Sequence, residues 1–122
     1  MEKTKSYDGV IFNADVIKEA TSFLSKKEPG RVIETTFRIK KGSESWVYDN
    51  EAEFFSDYRR GFNEVEYEWR SSSYKMAIYI SSGNITSVII KGPSRADIEE
   101  VFDIFEKKVD ECKLPPESLP KT

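Results

Sequence analysis

Glu64, Glu66 and Glu68 are the residues whose type and spacing come nearest to doing chemistry. They alternate along residues 63–70, NEVEYEWR. On a strand all three project from one face, with neighbours about 6.5–7 Å apart. That separation falls in the range of an inverting glycosidase pair, roughly 6.5–9.5 Å. Spacing alone is not enough. A general acid also needs burial or a like charge to raise its pKa, and a groove to hold substrate. A row on an open sheet face offers neither, and cross-strand cations such as Arg38, Lys40 or Lys75 would neutralise it. The row therefore reads as a solvated salt-bridge ladder rather than as a catalytic pair.

Other chemistry is limited by what the 122 residues lack. There is no histidine, which removes Ser-His-Asp and Cys-His nucleophile systems along with His-ligated zinc, iron and haem. The single cysteine, Cys112, can form neither an internal disulfide nor a CxxC knuckle, which fits a reducing, cytoplasmic compartment. Asp49, Asn50, Glu51 and Glu53 cluster, but helix capping explains them, and no stretch matches the calcium-loop spacing. The six glycines, at 9, 30, 42, 61, 83 and 92, never stand two or five apart, so GxGxxG and Walker A loops are absent. Gly92-Pro93-Ser94 precedes a helix start, where Ser94 itself satisfies the free amides and Asp97 and Glu99 repel an anion. The expectation is a protein with no cofactor, no metal and no catalytic activity.

Charge argues against nucleic acid. Net charge is −3, with 11 basic and 11 acidic residues in 1–61 and 8 basic against 11 acidic in 62–122. Such a balance gives no bulk attraction to phosphate. Of the basic pairs, Lys26-Lys27, Arg59-Arg60 and Lys107-Lys108 fall at expected helix C-termini, where cations complement the macrodipole; Lys40-Lys41 does not. The longest apolar runs, 76–80 and 88–90, fall far short of the roughly 18–20 residues that span a bilayer, so no membrane insertion is expected. The first six residues lack the apolar core of a signal peptide.

These side chains need elements to position them. Residues 1–6 are polar and read as a frayed end, and residues 7–12 as a short strand or extended lead-in. Asn13 caps a helix over 14–27 carrying Val16, Ile17, Ala20, Phe23 and Leu24 at helical spacing, which Glu28-Pro29-Gly30 ends. Residues 31–41 read as a strand with Ile33, Thr35, Phe37 and Ile39 on one face. Gly42-Ser43 turns into a short strand, 45–48. Asn50 and Glu53 form a capping box for a helix over 51–60 that buries Phe54, Phe55 and Tyr58, with Gly61 as its stop. Strands over 63–70, 74–81 and 85–91 make an antiparallel meander. Ser94 then caps a third helix whose stripe is Ile98, Val101, Phe102, Phe105 and Val109, with Lys107 and Lys108 in its last turn.

The order (β)αββαβββα with amphipathic strands predicts an α+β fold, a single antiparallel sheet of about five strands with the helices packed on one face. Residues 1–111 form the domain, and 112–122, with three prolines, a tail or linker. The lead-in Tyr7-Asp8-Gly9-Val10-Ile11-Phe12, the hairpin Ser45-Trp46-Val47-Tyr48-Asp49 and the meander into the last helix resemble an uncharacterised small α+β module found near the N-terminus of larger prokaryotic proteins, some with membrane helices downstream. The resemblance implies an accessory or sensing role and brings no catalytic residues.

The open face would then carry Thr36, Arg38, Glu66, Glu68, Lys75, Ala77, Tyr79, Ser87 and Ile89. Tyr79 and Ile89 stand out as a small apolar patch ringed by charge. Arg38, Glu66, Tyr79 and Ile89 are the candidate binding residues, for a protein partner, a neighbouring domain or a second copy. The alternative is that Tyr79 and Ile89 only stabilise each other across strands. Three functions fit: a non-catalytic interaction or sensor module within a larger protein, a free-standing acidic binding protein of the immunity or antitoxin kind, or a carboxylate enzyme.

Overall fold

The computed structural model describes residues 1–28 and 32–114. The helices follow their caps. α1 (Ala14–Lys27) starts where the Asn13 side chain accepts from the Val16 amide at 3.0 Å, and α2 (Glu51–Arg60) where the Asn50 side chain accepts from the Glu53 amide at 2.9 Å. Gly61, at φ 112, stops α2 in backbone space that favours glycine. α3 (Arg95–Glu106) starts at Ser94, whose hydroxyl accepts from the Asp97 amide.

Six strands form one antiparallel sheet: β1 (Glu2–Asp8), β2 (Val32–Lys41), β3 (Glu44–Tyr48), β4 (Glu64–Ser71), β5 (Lys75–Ile80) and β6 (Ile85–Lys91), in the order β1-β6-β5-β4-β2-β3. The helices cover one face. There Phe37 and Ile39 of β2, Val65, Tyr67 and Trp69 of β4, Met76, Ile78 and Ile80 of β5, and Val88 and Ile90 of β6 are all buried. They meet Ile17 and Leu24 of α1, Phe54 and Phe55 of α2, and Val101, Phe102 and Phe105 of α3 in one core. The fold class expected from the sequence is the fold observed. Pro29-Gly30, the expected stop of the first helix, and the Ile33 side chain lie outside what is described.

Three sequence expectations need correction. First, residues 2–6 are not frayed. They belong to β1, paired with β6 from Glu2 opposite Lys91 to Asp8 opposite Ile85. The strand hides from a hydropathy reading because two of its helix-facing positions, Lys3 and Lys5, are lysines. Their ammonium groups reach carboxylates of α3, Lys3 to Glu99 at 3.2 Å and Lys5 to Glu106, and Lys3 lies over the Phe102 ring. Long stems can cover apolar surface while the charge stays at the rim.

Second, α3 ends at Glu106, before the lysine pair. The Lys108 amide donates to the Phe105 carbonyl, a tighter three-residue closure, and the chain turns into a separate single turn, α4 (Val109–Cys112). Third, the docked chain runs past residue 111. Cys112 is buried, its carbonyl accepts from the Ile11 amide at 3.1 Å, and the Leu114 amide donates to the Gly9 carbonyl at 2.9 Å. Proline content places the boundary too early. The rest of the expected tail, 115–122, lies outside the described residues.

One close approach fixes a residue type. A Cβ on Gly92 would sit 2.7 Å from the Tyr74 ring, whose hydroxyl donates to Asp97 at 2.7 Å. Gly92→Ala is expected to displace that ring and destabilise by about 1–3 kcal/mol, the usual scale of overpacking. Gly83→Ala, with only the Ser81 hydroxyl 4.0 Å away, is the control. Equal urea midpoints for the two variants would contradict the assigned contact.

Candidate functional site

The face away from the helices is built by strand parity. Arg38 and Lys40 of β2 point to it, as do Glu64, Glu66 and Glu68 of β4, Lys75, Ala77 and Tyr79 of β5, and Ser87 and Ile89 of β6. Register then sets who meets whom. Arg38 stands opposite Glu66, Glu66 opposite Tyr79 and Tyr79 opposite Ser87, one row across four strands. Arg38 and Glu66 form an ion pair at 3.3 Å, Lys40 pairs with Glu64 at 3.3 Å, and Lys75 reaches Glu68 at 3.3 Å.

The three glutamates therefore form the ladder expected from the sequence, each beside a cation. Among the described residues no group of three or more Asp, Glu or Cys side chains is gathered so as to hold a metal ion. No described helix is long and apolar enough to cross a membrane.

An open groove of about 550 Å³ lies over this row. Arg38, Glu66 and Tyr79 line it, with Lys40, Glu64 and Ile85. Partial burial and the Glu68 and Glu66 carboxylates raise the Tyr79 phenol above its usual pKa, so it stays a neutral hydrogen-bond donor.

Of the four residues singled out from sequence, three come together in the groove. Ile89 shares the face but stands opposite Ala77, diagonal to Tyr79 and outside the groove lining. Both Tyr79 and Ile89 are partly covered rather than fully exposed. Among the aliphatic residues that border the groove, Val65 and Ile80 are buried and Ile85 is 40% exposed. Sequence reasoning also missed Trp46 and Val47 on β3, 51% and 63% exposed. Their types gave no signal, because an aromatic beside a β-branched residue is what a buried strand also shows.

No protein-family model, curated protein or solved structure matches the chain.

Proposed function

We propose that the chain is a non-catalytic interaction module whose open sheet face receives a protein surface, either of a separate partner or of a neighbouring domain. The supporting observation is the row Arg38–Glu66–Tyr79 beneath an open groove, on a sheet whose helices all lie on the other side. A tyrosine anchor with paired charges around it is a common interface composition. At the groove Arg38 and Lys40 are each matched by an in-register glutamate, so the groove itself offers little unpaired positive charge to a nucleic acid backbone; the cations Arg70, Lys75 and Lys91 stand in a separate row away from it. The paired state of Glu64, Glu66 and Glu68 favours this reading over carboxylate catalysis.

The test replaces Tyr79→Ser with Ile89→Thr. A diagonal pair of this kind contributes under about 1 kcal/mol to folding. The melting temperature should therefore fall by only a few degrees, less than about 5 °C. Loss of an aromatic anchor should weaken a complex tenfold or more, about 1.4 kcal/mol. The readout is sedimentation of the labelled chain in extract of its source cells, beside a thermal melt. A larger drop in melting temperature with unchanged sedimentation would make the pair purely structural.

A further inference from the structure

Among the described residues the sheet has two unpaired edges, β1 and β3, and they are guarded differently. β1 turns Lys3 and Lys5 toward the helix side, where Glu99 and Glu106 hold them. Inward-facing charge is a recognised way to block strand addition. Self-pairing about the middle of β1 would also set Lys5 against its own copy. β3 has no such guard. Glu44-Ser45-Trp46-Val47-Tyr48 contains no lysine, no proline and no bulge, and its residues from Glu44 to Val47 are exposed. Trp46 and Val47 place large apolar surface on opposite faces of this one edge. The Trp46 indole N–H reaches only as far as Glu44 on the same strand, at 3.3 Å.

We propose that β3 pairs antiparallel with β3 of a second copy of this chain, about a two-fold axis through Val47. Keeping both helical layers on the same side requires opposed residues to share a face, so the axis must pass through a residue. At Val47 it sets Val47 against itself on the open face and Trp46 against the partner's Tyr48 on the helix face. Ser45 and Glu44 then lie toward Asp49 and Asn50, which follow the strand as a bend before α2, so no carboxylate opposes a carboxylate. Aromatic and β-branched cross-strand pairs are the stabilising kind. An axis through Trp46 would instead oppose Val47 with Ser45 and leave its apolar surface unmatched. This self-complementarity selects a second copy as the occupant over an unrelated strand.

The inference is independent of the groove reading, because Tyr79 and Ile89 take no part in the pairing. A five-residue strand is short beside a standard interface of roughly 800 Å² per partner, so the dimer is weak, with a Kd on the order of 10–100 μM.

Sedimentation equilibrium of the purified chain over micromolar to high micromolar concentration tests it. A reversible monomer–dimer equilibrium is expected. Val47→Lys should weaken it at least tenfold and leave the thermal melt of the monomer unchanged, since that side chain is exposed. Val47→Ile should retain the dimer. Tyr79→Ser with Ile89→Thr should dimerise like the parent chain. Dilution should shift emission from Trp46 to the red, while Trp69, buried in the core, should not respond. A chain that stays monomeric throughout the range, or a dimer indifferent to Val47→Lys, would overturn the proposal. A dimer lost with Tyr79→Ser and Ile89→Thr instead would move the contact to the open face.

Discussion

Phe54→Ala is expected to cost about 3–5 kcal/mol, the range for emptying a buried phenylalanine site. The side chain is fully buried on α2, and its ring lies 5.1 Å from that of Phe55, 5.5 Å from Phe37 and 5.6 Å from Tyr67. Tyr48 and Tyr58 complete the surround at 6.0 Å and 5.9 Å. These rings belong to α2, β2, β3 and β4. Removing the central one leaves a cavity that stiff aromatic neighbours cannot easily collapse into. Against a total stability of about 5–15 kcal/mol, the loss is a large fraction. Urea unfolding should show a much lower midpoint at unchanged slope. Trp46→Ala, a larger truncation at an exposed site, should cost under about 1 kcal/mol at concentrations where the chain is monomeric. A Phe54→Ala loss below about 1 kcal/mol would mean that α2 does not seat on the sheet as described.

Alkaline unfolding is the second large effect. All six tyrosines have phenols raised above the ordinary value of 10. Burial, with a hydrogen bond to Asp57, pushes Tyr48 up to about 12. The hydrogen bond to Asp97, with burial, pushes Tyr74 up to about 12. Burial raises Tyr7, Tyr58 and Tyr67 further. Tyr7 also donates to Glu106 at 2.9 Å, Tyr58 to the Phe12 carbonyl, and Tyr67 to Glu51 at 2.8 Å.

A raised phenol stabilises the fold fully below its unfolded pKa of 10, and that contribution is lost as pH rises through the folded value. Stability should therefore fall steeply from pH 10 to about 12. Phenolate absorbance at 295 nm should rise with the loss of tertiary structure rather than before it. Tyr74→Phe should flatten part of the slope. Independent ionisation near pH 10 with the fold intact would contradict the burial assigned to these rings.

Period-two alternation made much of the fold readable. Residues 63–70 announced both faces of β4 at once, with Val65, Tyr67 and Trp69 inward and three glutamates outward, and the structure keeps that division. Capping residues did the same for the helices, since Asn13, Asn50 and Ser94 each accept from an amide in the first turn. What stayed hidden depends on partners distant in sequence. β1 hides because its lysines face inward only by virtue of α3 carboxylates about a hundred residues away. Cys112 and Leu114 dock against backbone near Gly9 and Ile11, which composition cannot express.

The candidate site divides in the same way. Parity sufficed to put Arg38, Glu66, Tyr79 and Ile89 on one face. Register in the local β5–β6 hairpin decides that Tyr79 faces Ser87 and that Ile89 stands aside, while the pairing of β2 with β4, across the intervening hairpin and α2, brings Arg38 to Glu66. That same pairing leaves β3 at the rim, so Trp46 and Val47 are exposed although their alternation resembles that of a covered strand.

The central claim, that the open sheet face is the one that meets a protein, is tested most directly by photo-crosslinking from each side in cells that express the chain from its own locus. Tyr79→benzoylphenylalanine places the probe in the groove, and Glu100→benzoylphenylalanine places it on the exposed side of α3. A discrete adduct to another protein or a neighbouring domain is expected from position 79, absent from position 100 and lost when Arg38→Glu is added. Adducts that form only from position 100, or a position 79 adduct indifferent to Arg38→Glu, would contradict it.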